Sequence, residues 1–414
     1  MKLTDARTRV AAGRWPERIA LFWGFLLPIE YVLSIPNTVF DLPRYVIAGL
    51  LAVITPSTLT GVSRERVLRL CGGLLALAVI RTAMGLYHDD RPGITLGVVL
   101  LGSVFSCGAV ALRPRLHRTV LLGFMLGVSV SAVVCLMQSM SIPTLRPPGP
   151  GAGRFPGLST YTMLLTWQVL FGGLIAVYFL LHERRGTMRR NLATVALPLC
   201  AAALLVNGAQ GGLLGLAAAG VAYLVWSGPK ARRRLVTPRS LAVGAMGVVL
   251  LVLVLALGGL PISTFQNWIF QGNFVNEQAR IDIAGTGWDV MVDNPLTGIG
   301  RQQFIDAYTI TPHFLPLESA ATAGLLAGLV AAGVVVYTWY LMIQRPSKGS
   351  YAIFGAVLLA AMCSNTLTEI SGPFIGVSHL FLLLIAVVAA AGGNDPSPSV
   401  GEPVEVEGCP TSIA

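Results

Sequence analysis

The chain has 414 residues, of which 54% are hydrophobic and only 12% charged, and it carries a net charge of +10 with a mean hydropathy of +0.71. Soluble domains contain about 25% charged residues, so a chain with half that share could not cover its surface in water; disorder is excluded too, because it needs low hydrophobicity and high charge. The basic excess is not gathered on one domain, as nucleic-acid binding would require, but falls in short clusters between apolar runs, the pattern of membrane topology. What remains is an all-α polytopic membrane protein.

A membrane-spanning helix needs about 20 apolar residues. Twelve stretches qualify, with approximate limits 19–36, 44–60, 67–86, 93–112, 118–142, 159–181, 192–207, 210–226, 241–260, 318–343, 351–370 and 373–391. The first follows a basic segment (Lys2, Arg7, Arg9, Arg14, Arg18) and precedes no A-x-A-like cleavage site, so it reads as an uncleaved span and not a signal peptide. The seventh and eighth are short and separated only by Asn207, Gly208 and Ala209, so one span in their place is the competing count.

With twelve spans and the N-terminus inside, the inner segments hold 22 of the 29 basic residues and eight of the 19 acids. One missed span would invert half of the loops and spoil that agreement. The expectation is a cytoplasmic (inner) membrane protein with both termini cytoplasmic. A membrane domain over 1–391 carries one long extracytoplasmic loop with short helices, 261–317, and a polar, Pro-rich, acidic tail over 392–414 is expected to be disordered. Gly211/Gly215 and Gly324/Gly328 have GxxxG spacing, which fits close helix packing. The six cysteines show no CxxC or Cys/His spacing, so they read as small buried hydrophobes and not as a zinc site or disulfide framework.

The seven basic residues left on the outward side and in the spans are all arginine: Arg44, Arg81, Arg91, Arg146, Arg154, Arg280 and Arg301. Their surroundings are otherwise acidic, so a diffuse basic surface does not explain them. The planar guanidinium fork suits bidentate contact with phosphate, and an anionic ligand at the outer surface would give them a purpose. Arg81 sits about five residues inside its span, roughly 7–8 Å at helical rise. Glu30, Glu369 and His379 fall at similar depth. Ionisable groups at membrane depth mark polar cavities, although snorkelling and Glu–Arg pairing between helices account for Arg44, Arg81 and Glu30 equally well.

Two outward segments carry further signal. Residues 276–293 read as a helix, with Asn276 as N-cap and Asn294–Pro295 as stop; Arg280, Gly287 and Trp288 fall toward one face at offsets of seven and eight. A turn with Gly298 and Gly300 follows, then Arg301, a short helical stretch with Phe304 and Tyr308, and finally His313 with Glu318 five residues on. A histidine can act as a general base near neutral pH, and an ordinary interfacial histidine is the other reading. Residues 143–158 form a Gly- and Pro-rich loop whose glycines are flanked by Arg146 and Arg154. It is not a Walker A, since no GK[ST] follows.

Together these segments resemble the O-antigen ligase/polymerase superfamily, membrane enzymes that ligate or polymerise lipid-linked glycans. Four stretches over roughly 150–330 carry the resemblance: Arg154-Phe-Pro-Gly157; Asn207 through Gly215; Arg280, Trp288 and the run Asn294-Pro-Leu-Thr-Gly298-Ile-Gly300; and His313, Glu318 and Gly324-Leu-Leu-Ala-Gly328. Gln210 stands where the family usually has arginine, and Phe314 where asparagine usually follows the histidine. The resemblance implies an enzyme of polysaccharide biosynthesis in the cell envelope, which moves a glycan from undecaprenyl pyrophosphate to an acceptor hydroxyl with inversion and without metal or cofactor. The acceptor is a glycan, lipid or protein. On this reading His313, Arg280 and Glu318 are expected in catalysis, with Glu318 either orienting His313 or serving only as a helix-start acid favoured by the dipole. Arg154, Arg81, Arg301, Trp288 and Tyr308 are expected to bind substrate, although an interfacial aromatic belt accounts for Trp288 and Tyr308 as well. Membrane lipids are expected partners and nucleic acid is not. The competing class is a transporter or flippase of an anionic lipid or solute; such proteins usually show repeats and midplane charges, and the polar layer here lies toward one edge.

Overall fold

The computed structural model describes residues 15–29, 42–144, 155–159, 162–207, 210–227, 274–312, 314–368 and 377–392. The predicted ninth span, the later part of the first and the C-terminal tail beyond 392 lie outside the described residues, as do Glu30 and Glu369. All regular structure among the described residues is helical. In chain order the helices are α1 (Trp15–Leu26), α2 (Leu42–Ile54), α3 (Gly61–Tyr87), α4 (Arg91–Ala111), α5 (Pro114–Ser139), α6 (Thr162–His182), α7 (Met188–Asn207), α8 (Gln210–Trp226), α9 (Phe274–Asp293), α10 (Arg301–Tyr308), α11 (Leu315–Ala323), α12 (Leu325–Ile343), α13 (Ser350–Thr368) and α14 (Val377–Ala390). Six of them (α3 to α7 and α12) are long and apolar enough to cross a membrane, and α2, α8, α13 and α14 are shorter apolar helices. The chain is a multi-pass membrane protein.

Two predicted spans are corrected. The second was expected to reach residue 60, but α2 ends at Ile54. Thr55 precedes Pro56, and the proline ring disfavours helical backbone in the residue before it. The freed carbonyls of Ala52 and Thr55 are taken by the Arg113 guanidinium, which also binds the Ala109 carbonyl. The expected tenth span, 318–343, is two helices, α11 and α12, broken at Gly324, where φ is +86°. The expected seventh and eighth spans fall in separate helices with different main neighbours: α7 packs on α6 and α5, while α8 packs mainly on α13 and only slightly on α6.

The core centres on α14, all of whose residues are buried. A helix that is apolar on every side has no face to give to water, and α14 is enclosed by α3, α4 and α13. Trp23 meets Phe381 edge-on with ring centroids 4.8 Å apart. Five cysteines are free and buried in this interior, as expected of small hydrophobes.

The bundle has two distinct ends. At one, Glu183 receives Arg118 at 3.2 Å and Arg189 at 3.3 Å, which joins the segments around 113–118 and 183–190. At the other, α3 and α4 meet in the tight turn His88–Asp90, where Asp89 adopts φ +51°. Helices α10 and α11 dock there against α3 and α4, and α9 lies on α11.

Candidate functional site

The site is assembled by a turn. Gly298 and Gly300 have φ of +63° and +80°, a backbone region that costs an L-residue about 1–2 kcal/mol. Their conformation lets the chain lie along the end of α11, whose last carbonyls have no partner inside the helix. Ile299 N–H donates to the Ala321 carbonyl at 3.1 Å and Gly300 N–H to Thr322 at 3.0 Å. Leu325 N–H, the first of α12, donates back to Pro295 at 2.8 Å. There is no room for side chains here: a Cβ at Gly298 would lie 2.6 Å from the Thr322 carbonyl carbon, and one at Gly324 would overlap the Leu296 carbonyl oxygen. The Pro-Leu-Thr-Gly-Ile-Gly run and the Gly324 break are thus two halves of one joint.

That joint fixes Arg301 at the start of α10 and Glu318 in the first turn of α11. The Glu318 carboxylate is fully buried and holds two guanidinium groups. Arg301 Nη1 lies 2.5 Å from its Oε1, and Arg81 Nη2, rising from α3, binds its Oε2. Arg81 Nη2 also donates to Ser319 Oγ at 2.9 Å. Arg81 is 4% exposed and Arg301 22%. One carboxylate between two guanidiniums leaves a formal charge of +1 in the trio. The void beside them, lined by Arg81, Asp90, Arg301, Glu318 and Thr322, measures about 10 Å³, room for one water molecule. The side of the cluster that reaches solvent is that of Arg301, with Arg81 behind Glu318.

Of the residues expected at the site, Arg81, Arg301 and Glu318 are brought into direct contact. Arg280 is half-buried on α9, about 10 Å along the axis from Gly287 at helical rise. Gly287 is where α9 packs on Pro312 and Leu317, so the Arg280 face turns toward α11. Trp288 is exposed on the same helix, and Tyr308 is exposed at the end of α10 against Phe304, with ring centroids 4.9 Å apart. Arg154 and His313 lie outside the described residues, so Glu318 as the orienter of His313 has no geometry here; its two oxygens are engaged by arginines. Arg44, read in sequence as either ligand or pairing residue, is buried, and its Nε donates to the Leu26 carbonyl at the end of α1 at 3.0 Å. Among the described residues no group of three His, Cys, Asp or Glu side chains could hold a metal ion.

Two contributors were missed. They are Asp90, which caps α4 and reaches α10, and His88, which holds the joint at Thr297. Asp-Arg-Pro-Gly is legible as a helix N-cap, but nothing in it announces a partner two hundred residues later.

Residues 193–327, from α7 to the start of α12, match the family model described as O-antigen ligase. The match bears out the resemblance to the O-antigen ligase/polymerase superfamily and supports, at a coarse level, glycan transfer of the O-antigen ligase kind. No curated protein matches the chain. Arg81, His88 and Asp90 fall outside the matched segment, while Arg301 and Glu318 fall within it.

Proposed function

We propose that the protein is a glycosyltransferase of the ligase or polymerase type, which moves a glycan from undecaprenyl pyrophosphate to an acceptor hydroxyl at the outer face of the cytoplasmic membrane. The observation that carries this reading is the Arg81–Glu318–Arg301 cluster, in which a partly exposed guanidinium is held at the junction of the bundle and a family-matched loop segment.

The chemistry follows from the leaving group. As the bond between the anomeric carbon and the diphosphate oxygen breaks, negative charge grows on that diphosphate. Fixed cations in a low-dielectric site stabilise such charge without reorganising at the moment of reaction. Arg301, Arg280 and Arg154 are assigned to this task, and with three arginines supplying the charge no metal is required. Arg81, taken by Glu318 and Ser319, acts from behind by holding the carboxylate that orients Arg301. His313 accepts the proton of the acceptor hydroxyl, whose oxygen attacks the anomeric carbon opposite the departing diphosphate and inverts it. The products are the glycosylated acceptor and undecaprenyl pyrophosphate. Trp288 and Tyr308 offer exposed aromatic faces to sugar or to the polyprenyl chain. The twelve-span layout, with the loop 261–317 outside and both termini inside, belongs to the same proposal.

The test is transfer activity of full-length protein in membranes. General base loss at His313→Ala is expected to reduce turnover about a hundredfold or more, and Arg280→Ala about tenfold or more, the worth of one charge-assisted hydrogen bond. If both variants fold and turn over at the parental rate, the assignment is wrong. Flux of lipid or solute across a reconstituted bilayer without covalent product would point to transport instead.

A further inference from the structure

Helix α10 begins without a cap of its own. Its N-cap is Gly300, which offers no side-chain acceptor, and the first amides of any helix lack partners inside it. The missing acceptor comes from the opposite side of the joint. The Asp90 carboxylate, 4% exposed, accepts Arg301 N–H on Oδ2, and on Oδ1 it accepts Gln302 N–H at 3.2 Å. The same Oδ1 accepts Gly93 N–H at 3.1 Å, which makes Asp90 the N-cap of α4 as well. One carboxylate thus sits at the positive ends of two helix dipoles, where negative charge is favoured. Two residues earlier, His88 Nε2 lies 3.0 Å from the Thr297 carbonyl oxygen; a carbonyl only accepts, so this nitrogen carries the proton. A Cβ on Gly300 would come 3.2 Å from the His88 Cβ, so the two segments touch.

The turn 297–302 is therefore gripped from two sides. The end of α11 holds the amides of Ile299 and Gly300, and the α3–α4 turn holds the carbonyl of Thr297 and the amides of Arg301 and Gln302. A cap for α4 alone needs only the bond to Gly93. The bonds to α10 have no role in α4, and they fix the backbone of the residue whose guanidinium meets Glu318.

We propose that Asp90 and His88 are positioning residues. They lock the first turn of α10 so that the Arg301 guanidinium stands where it meets the diphosphate, and they act through that backbone without touching the ligand. This rests on the functional reading above, which places the diphosphate at Arg301.

The discriminating substitution is Asp90→Ser. Serine caps a helix about as well as aspartate, so α4 keeps its N-cap, but a single short hydroxyl does not span to α10. Hydrogen exchange of the full chain in nanodiscs reads the structure directly. Expected are faster exchange at the amides of 301–304 and unchanged protection at 93–100, in Asp90→Ser and, more weakly, in His88→Ala. Binding of undecaprenyl pyrophosphate to the same samples reads the consequence: a Kd about tenfold to hundredfold weaker than that of the parental chain, the scale of one lost hydrogen bond to a charged group. Unchanged exchange at 301–304 would overturn the proposal, and so would faster exchange with undiminished binding while Arg301→Ala does weaken binding. Parental binding by Arg301→Ala itself would sink the functional reading, and the exchange data would then still decide whether Asp90 locks α10.

Discussion

Arg69 and Arg81 lie on the same helix, and each binds a glutamate. Arg69 meets Glu65 one turn away at 2.5 Å, with the two side chains 64% and 58% exposed. Arg81 meets Glu318 across most of the chain, with exposures of 4% and 0%. An exposed pair exchanges water for a partner of similar worth and is screened by salt, so it contributes about 0.3–0.5 kcal/mol. The buried pair has already lost its water. Its significance lies in mutual dependence, since removing one member strands the other at a cost of about 3–5 kcal/mol. The first pair trims a helix surface. The second fastens the segment around α11 to the bundle and dictates which way Arg301 points.

The largest expected effect breaks the buried pair. Glu318→Ala removes the carboxylate that the buried Arg81 guanidinium is paired with and is expected to lower stability by about 3–5 kcal/mol, read as a drop in Tm in detergent. Joining Arg81→Met to Glu318→Met is expected to recover much of that loss without restoring transfer. A double variant as unstable as the single would show that stranded charge is not the source of the cost. Next comes Gly324→Ala, which forces a side chain into φ +86° against the Leu296 carbonyl. Backbone strain and overlap together are expected to cost about 2 kcal/mol or more, with the 295–300 turn becoming sensitive to protease. The smallest effect belongs to Arg69→Ala, expected to change stability by less than about 0.5 kcal/mol and to leave transfer as it was. A Tm loss there equal to that of Arg81→Ala would remove burial as the distinction between the pairs.

Much of the architecture was legible because it is written locally. The helix expected over 276–293 is α9, Phe274–Asp293; it begins two residues ahead of the expected cap, so Asn276 lies inside the helix, and it stops as expected before Asn294-Pro295. The short helical stretch with Phe304 and Tyr308 is α10. Arg81 stood out by its depth in an apolar run. The break at Gly324 did not, because a glycine in a run of alanines and leucines also reads as a close-packing residue. Only the turn 295–300 laid against it requires a positive φ. The role of Asp90 as a clasp was invisible: its second set of partners is the backbone of Arg301 and Gln302, and backbone amides carry no residue signature.

The sequence by itself determined that the chain lives in a membrane, where most of its helices run, and that the charges set against the basic-loop pattern are all guanidinium. Each of these depends on hydropathy or charge summed over some 20 neighbouring residues, and a bilayer acts on segments of that length one at a time. Only the tertiary structure decided that Arg81 serves Glu318 and that Asp90 caps a helix from the far half of the chain. The energy of a charge depends on its partner's distance and on the water removed from both, and those are fixed by how remote helices pack.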